Sequence, residues 1–226
     1  MRLPGLRDEE PDFGGSRELL REAVRLGVDF IDTAQAYGHS ELMIADALHP
    51  YPEGLVIATK GGLRRGGIAD GRPEFLRAGC EASLSRLRVE RIDLWQLHRI
   101  DPDVPVEEQF GVIRELQDEG KIRFAGVSEV TVDQLARARD LIDVATVQNR
   151  FNEAEQGATD VLEACEAGGT GFMPWAPMGM GDLPPQRSLA WLLGRSPVIL
   201  PIPGTSSIEH LRSNMEAALV EAAPGD

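Results

Sequence analysis

Cysteine is nearly absent. The 226 residues hold two, Cys80 and Cys165, in no CxxC pair and in no Cys/His cluster with metal-ligand spacing. That argues against a disulfide scaffold and for a reducing compartment. Lysine is as scarce: of the 23 basic residues only Lys60 and Lys121 are lysines, and the rest are arginines. A lysine closing an apolar strand in such a chain reads as a need for a compact ammonium, which a planar guanidinium does not supply. No apolar run approaches the ~18 residues of a membrane span. The stretch Met1 to Pro11 is polar and does not resemble a signal peptide, so a cytoplasmic protein is expected. Net positive charge is missing altogether, the formal charge being −14. A surface this acidic repels nucleic acid and anionic lipid. Neither is expected as a partner, which leaves a small-molecule substrate and an open oligomeric state. Any phosphate-bearing ligand must be gripped by local groups.

What is present is alternation. Helical spacing runs over Ser16 to Leu26, His39 to His49, Pro73 to Leu87, Val106 to Glu119, Thr131 to Leu141, Asn152 to Ala167, Gln186 to Gly194 and Ser207 to Val220. Between them lie short apolar strand candidates: Val28 to Thr33, Leu55 to Lys60, Ile92 to His98, Phe124 to Ser128, Val144 to Gln148, Gly171 to Trp175 and Val198 to Ile202. Strict alternation implies a parallel sheet covered by helices. No GxGxxG follows the first strand, which weakens a doubly wound nucleotide fold. The regular repeats favour a (β/α)8 barrel, one domain over residues 1–226. An eighth strand should precede Ser16, where only Met1 to Gly5 remain. The first strand is therefore expected to be missing or truncated.

Barrel enzymes carry their chemistry at the C-terminal ends of strands. The first complete strand ends in Asp32, with Tyr37 in the loop after it. The next ends in Lys60, and the next in His98. Alone, each has a plain explanation: a turn cap, a rim phenol, a solvated strand end, a core histidine. Together on successive strand ends they suit proton transfer coupled to hydride transfer. A carbonyl that accepts hydride needs a proton. A phenol can give it when a neighbouring ammonium favours the phenolate. A carboxylate keeps that ammonium charged and oriented, and an imidazole can hydrogen-bond the substrate oxygen.

The segments GVDFIDTAQAYGHSE, VIATK, RIDLWQLH, GKIRFAGVS, VQNRFN and PIPGTSSIEHLRSN resemble, in order, those of the aldo/keto reductase family. The resemblance implies an NAD(P)H-dependent carbonyl reductase. Asp32, Tyr37, Lys60 and His98 would be its catalytic tetrad, with Tyr37 the proton donor. Ser128 and Gln148 would bind the nicotinamide carboxamide, and Trp175 would stack on the ring. Gly204, Thr205 and His210 would lie at the adenosine phosphate and Asn214 near the adenine. NADP(H) is the implied cofactor, with NAD(H) possible, because the phosphate loop offers Gly204 and His210 in place of Lys or Arg and leaves Arg212 nearby. Glu129 stands where many members have Asn, and the stretch Met178 to Gln186 is shorter than usual. A second reading stays open: a catalytically weak or inactive nicotinamide-binding barrel that acts as a sensor or partner module. A third, a metal-dependent hydrolase using Asp32 and His98, lacks further convergent ligands at the other strand ends.

Overall fold

The computed structural model describes residues 11–64, 66–180 and 185–217. Its elements are α1 (Phe13–Arg25), β1 (Phe30–Asp32), α2 (Ser40–Leu48), β2 (Val56–Gly61), α3 (Pro73–Leu87), β3 (Ile92–Leu97), α4 (Val106–Asp118), β4 (Ile122–Ser128), α5 (Val132–Arg139), β5 (Val144–Gln148), α6 (Thr159–Gly168), β6 (Gly171–Phe172), β7 (Pro177–Met180), α7 (Pro185–Arg195) and α8 (Ile208–Ala217). Local chemistry sets several boundaries. The Asp12 carboxylate accepts the Gly15 amide and opens α1. Thr131 and Gln134 form a reciprocal capping box on α5. Pro73 occupies the first turn of α3.

Strands β1 to β6 pair in parallel and in chain order. They form the curled wall of a (β/α)8-type barrel that lacks some of its strands. Among the described residues β1 is one edge of the sheet and β6 the other. The expected strand remnant in Met1 to Gly5 lies outside those residues, as does the expected end of the last helix beyond Ala217.

Side chains alternate across each strand, and the two faces bury different things. The outward residues Ile31, Ile57, Trp95, Leu97, Val127, Val147 and Phe172 are buried in the layer between sheet and helices. Each large apolar side chain removed from water there contributes roughly 1.5–3 kcal/mol. The inward face carries a small apolar cluster of Ala58, Leu94 and Met173, with Phe30 and Ile202 against it. Two residues further along the strands the inward positions turn polar. Lys60 pairs in register with Gln96, Gln96 with Gly126, and Ser128 with Gln148.

Three sequence expectations need correction. The strand read over Val198 to Ile202 is reduced to a single bridge between Phe172 and Ile199. Pro201 and Pro203 lack the amide hydrogens that would extend it. The helix read from Asn152 begins at Thr159. Ahead of it the Asn152 side chain accepts the amides of Ala154 and Glu155 and makes a tight turn. The strand candidates also leave out β7, Pro177–Met180, which forms outside the six-stranded sheet.

Gly126 shows how crowded the inner wall is. A Cβ there would lie 2.3 Å from Thr146 Oγ1, 2.9 Å from Gln96 Cγ and 2.9 Å from the Thr146 carbonyl oxygen. Gly126→Ala is expected to cost about 1–3 kcal/mol by overpacking, read as a lower denaturant midpoint at an unchanged slope. An unshifted midpoint would show that the inner wall has room to spare.

Candidate active site

The polar layer of the inner wall converges on one carboxylate. Lys60 Nζ lies 2.6 and 2.7 Å from the two oxygens of Asp32. Asp32 Oδ1 also accepts from Gln148 Nε2 at 3.0 Å and from Gln96 Nε2 at 3.4 Å. The Lys60 side chain has no exposure at all. Burial pushes its ammonium downward from the ordinary lysine range, and Asp32 opposes that shift. Removing one partner of such a buried pair strands the other charge, at a cost of roughly 3–5 kcal/mol.

The loop after β1 carries Tyr37 over this pair. Its start is pinned to β2: Thr33 N donates to the Ala58 carbonyl and Gln35 N to that of Lys60. The hydroxyls of Thr33 and Ser40 meet at 2.6 Å and close the loop. Tyr37 is half-buried. The Lys60 ammonium lies 5.5 Å from its ring centre, and the His98 ring meets it edge-on at 5.7 Å. His98 is buried, and its Nδ1 has no hydrogen-bond partner among the described residues. Burial, with the charges of Lys60 and Arg99 nearby, pushes the imidazole down to about 3. His98 is therefore neutral at neutral pH, able to share one hydrogen bond without carrying charge.

The next strand ends extend the site sideways. Arg99 Nη1 donates to the His98 carbonyl at 2.6 Å and to Ser128 Oγ at 3.1 Å. Glu129, which follows Ser128, adopts a left-handed backbone with φ 55°. Its Oε1 accepts Trp175 Nε1 at 2.5 Å and the Arg150 amide at 2.7 Å. The Arg150 guanidinium lies 5.2 Å from the Trp175 ring centre.

A separate group gathers at the start of α8. Thr205 is buried, and its hydroxyl accepts the Ser207 amide. Gly204 and His210 are exposed. Asn214 is buried with an unpartnered Oδ1. Arg212 is engaged elsewhere: it donates twice to Glu22 Oε1, at 3.1 and 2.8 Å. Among the described residues no hydrogen bond links this group to the Asp32–Lys60 cluster.

Residues 2–188 match the aldo/keto reductase family. An uncharacterised oxidoreductase of Schizosaccharomyces pombe is 44% identical over 96% of this chain and 78% of its own length. Pyridoxine 4-dehydrogenase of Escherichia coli is 35% identical over 95% of this chain and 85% of its own. The chain belongs to the aldo/keto reductase family. It is thus an oxidoreductase of a family that uses nicotinamide cofactors. An aldo/keto reductase from Klebsiella pneumoniae, solved with NADP and acetate, superposes with a TM-score of 0.83 at 25% identity. That match covers 99% of this chain and 87% of the other.

The aldo/keto reductase site, as the sequence reading drew it, divides here in two. Asp32, Tyr37, Lys60, His98 and Gln148 are brought together, with Ser128 joined to them through Arg99. Gly204, Thr205, His210 and Asn214 form the second group, and Trp175 stands at the rim of the first. Two participants, Gln96 and Arg99, escaped the sequence reading. Gln96 lies two residues before His98 on the same face, so a period-two reading of the strand would have found it. Arg99 carries no signal in the sequence that separates it from other charged loop residues, and Glu129, singled out by its departure from the family's Asn, carries none of its contact with Trp175. No helix among the described residues is long and apolar enough to cross a membrane.

The His98 shift makes a stability prediction. Native His98 stays neutral down to about 3, whereas the unfolded chain takes up that proton near 6.5. Between those values the unfolded state binds more protons. Stability is therefore full above the unfolded value and declines as pH falls toward 3. From pH 7 to 5 the wild type should lose about 2 kcal/mol more than His98→Asn, measured by denaturant unfolding at both pH values. Equal losses would mean that His98 is not the group responsible.

Proposed function

We propose that this protein reduces aldehydes or ketones to alcohols with hydride from NADPH and a proton from Tyr37, as one barrel domain over residues 1–226. The observation that carries the reading is the buried Asp32–Lys60 pair beneath the Tyr37 ring, flanked by a neutral His98.

The residues present fit a nicotinamide dinucleotide. Asn214 holds a buried acceptor without a donor, which suits an adenine amino group. The amides leading into α8 suit a phosphate. Trp175 offers an aromatic face to a planar ring. Gln148 commits its Nε2 to Asp32, so its Oε1 is the end that would accept from a carboxamide, with Ser128 beside it. The nicotinamide supplies the hydride when bound. This chain's residues handle the proton and the charge. Tyr37 holds its hydroxyl at the substrate oxygen and releases the proton as negative charge develops there. Lys60 stabilises the phenolate that remains. Asp32 keeps Lys60 charged, while Gln96 and Gln148 keep Asp32 in place. Neutral His98 hydrogen-bonds the carbonyl oxygen and orients it. NADPH is the expected donor and NADH the second. Arg212, tied to Glu22, is not free to strengthen the phosphate loop.

Tyr37→Phe removes the proton donor and little else. It should lower carbonyl reduction by about 100-fold or more, assayed as NADPH oxidation with a panel of aldehydes and ketones, while NADPH still binds. Near wild-type turnover would overturn the role of Tyr37. Lys60→Met should lower turnover as well. Lys60→Arg should restore only part of it, because the planar fork cannot occupy the point held by an ammonium. Full activity in both would count against the lysine.

A further inference from the structure

Glu129 occupies an uncomfortable place. A non-glycine residue in the left-handed region is strained, and Glu129 sits there at φ 55°. A carboxylate on a half-buried loop can find water easily. This one turns back instead across the ends of β4, β5 and β6, and a single oxygen takes both the Trp175 indole N–H and the Arg150 amide. Hydrogen bonds to an ionised acceptor are the stronger kind.

The backbone on either side of Trp175 is tied down as well. Its amide donates to the Asn149 carbonyl, and its carbonyl accepts from Phe151 N. The following residue, Ala176, is itself at φ 50°, and Asn152 Nδ2 donates to its carbonyl at 3.0 Å. The Arg150 guanidinium lies over the indole and is paired with Glu155 at 2.8 Å. A tryptophan side chain has one polar atom, Nε1. With the backbone fixed, fixing Nε1 fixes the ring plane.

We propose that Glu129 is a positioning residue for the cofactor: it locks the Trp175 indole in the orientation in which the ring stacks on the nicotinamide. This rests on the reading of Trp175 as the stacking residue. Its physical basis is preorganisation. A ring already immobilised in the free protein loses no rotamer freedom when a ligand arrives, and the affinity keeps what would otherwise be lost.

The rival role is that Glu129 only tethers the β5 loop through the Arg150 amide. A double-mutant cycle separates the two, read as NADPH affinity by calorimetry without substrate, with thermal melting to confirm folding. Glu129→Ala should weaken NADPH binding by about fivefold to tenfold. Glu129→Gln keeps an acceptor oxygen and should recover most of that loss. Trp175→Phe should weaken binding on its own, and Glu129→Ala added to it should cost little more, because phenylalanine has no N–H to hold. A Glu129→Ala effect that persists in full beside Trp175→Phe would overturn the proposal in favour of the tether. So would wild-type affinity in Glu129→Ala alone. Wild-type affinity in Trp175→Phe alone would fell the stacking reading itself, and the proposal with it at that earlier step.

Discussion

The buried pair of Lys60 and Asp32 is the constraint around which the inner wall is arranged. Taking two charges out of water is expensive, and their attraction offsets that cost only with good geometry and with hydrogen bonds to the remaining lone pairs. Both conditions are met. The ammonium reaches both carboxylate oxygens, and two amides from neighbouring strands add to one of them. Those amides sit where they do because of register. Gln96 is level with Lys60, and Gln148 is level with Ser128. The absence of a side chain at Gly126 lets the Gln96 and Thr146 side chains approach. The same pair sets the electrostatics above it. The Lys60 charge helps hold His98 neutral and faces the Tyr37 ring.

Much of this was legible in the sequence, because strand geometry is simple. A period of two places Asp32, Lys60 and His98 at inward strand ends, and the parallel order of the sheet then makes them neighbours. Pro73 and the Thr131–Gln134 pair set the starts of their helices in a similarly local way. What was not legible depended on contacts between loops. The 46 residues separating Glu129 from Trp175 span two strands and two helices, and no periodicity connects them. In the sequence Glu129 stands out only as a departure from the Asn of many family members. The structure instead turns its carboxylate toward a tryptophan. The misread strand at Val198 to Ile202 has a different cause. Its apolar run is real, but two prolines withdraw the donors that a ladder needs.

The acidity of the chain gives the second cluster its character. With a formal charge of −14, long-range attraction cannot gather a phosphate, and the arginine nearest the α8 loop is held by Glu22. The start of α8 offers the amides of a helix terminus, a buried hydroxyl on Thr205 and the unpartnered Asn214 Oδ1. These are neutral, directional groups. They recognise by hydrogen-bond geometry, so affinity for the proposed cofactor would depend less on ionic strength than in a site built from lysines and arginines.

The scarcity of lysine acquires a physical reason in that context. Arginine serves at the surface, pairing with Asp46, Glu115, Glu119 and Glu153 on exposed faces, where a wide planar fork and a fixed charge are advantages. At Lys60 those properties would be faults. The space between Asp32 and the Tyr37 ring is walled by Gln96, Gln148 and the strands themselves, and the cation there has no exposure. A guanidinium would need more of its five donors satisfied in that space than the wall provides acceptors for. An ammonium needs three. The neutral His98 follows from the same choice. An ammonium held this close, with Arg99 just beyond, makes a second buried cation too costly. One buried cation, fixed in place, is thus left facing the Tyr37 ring.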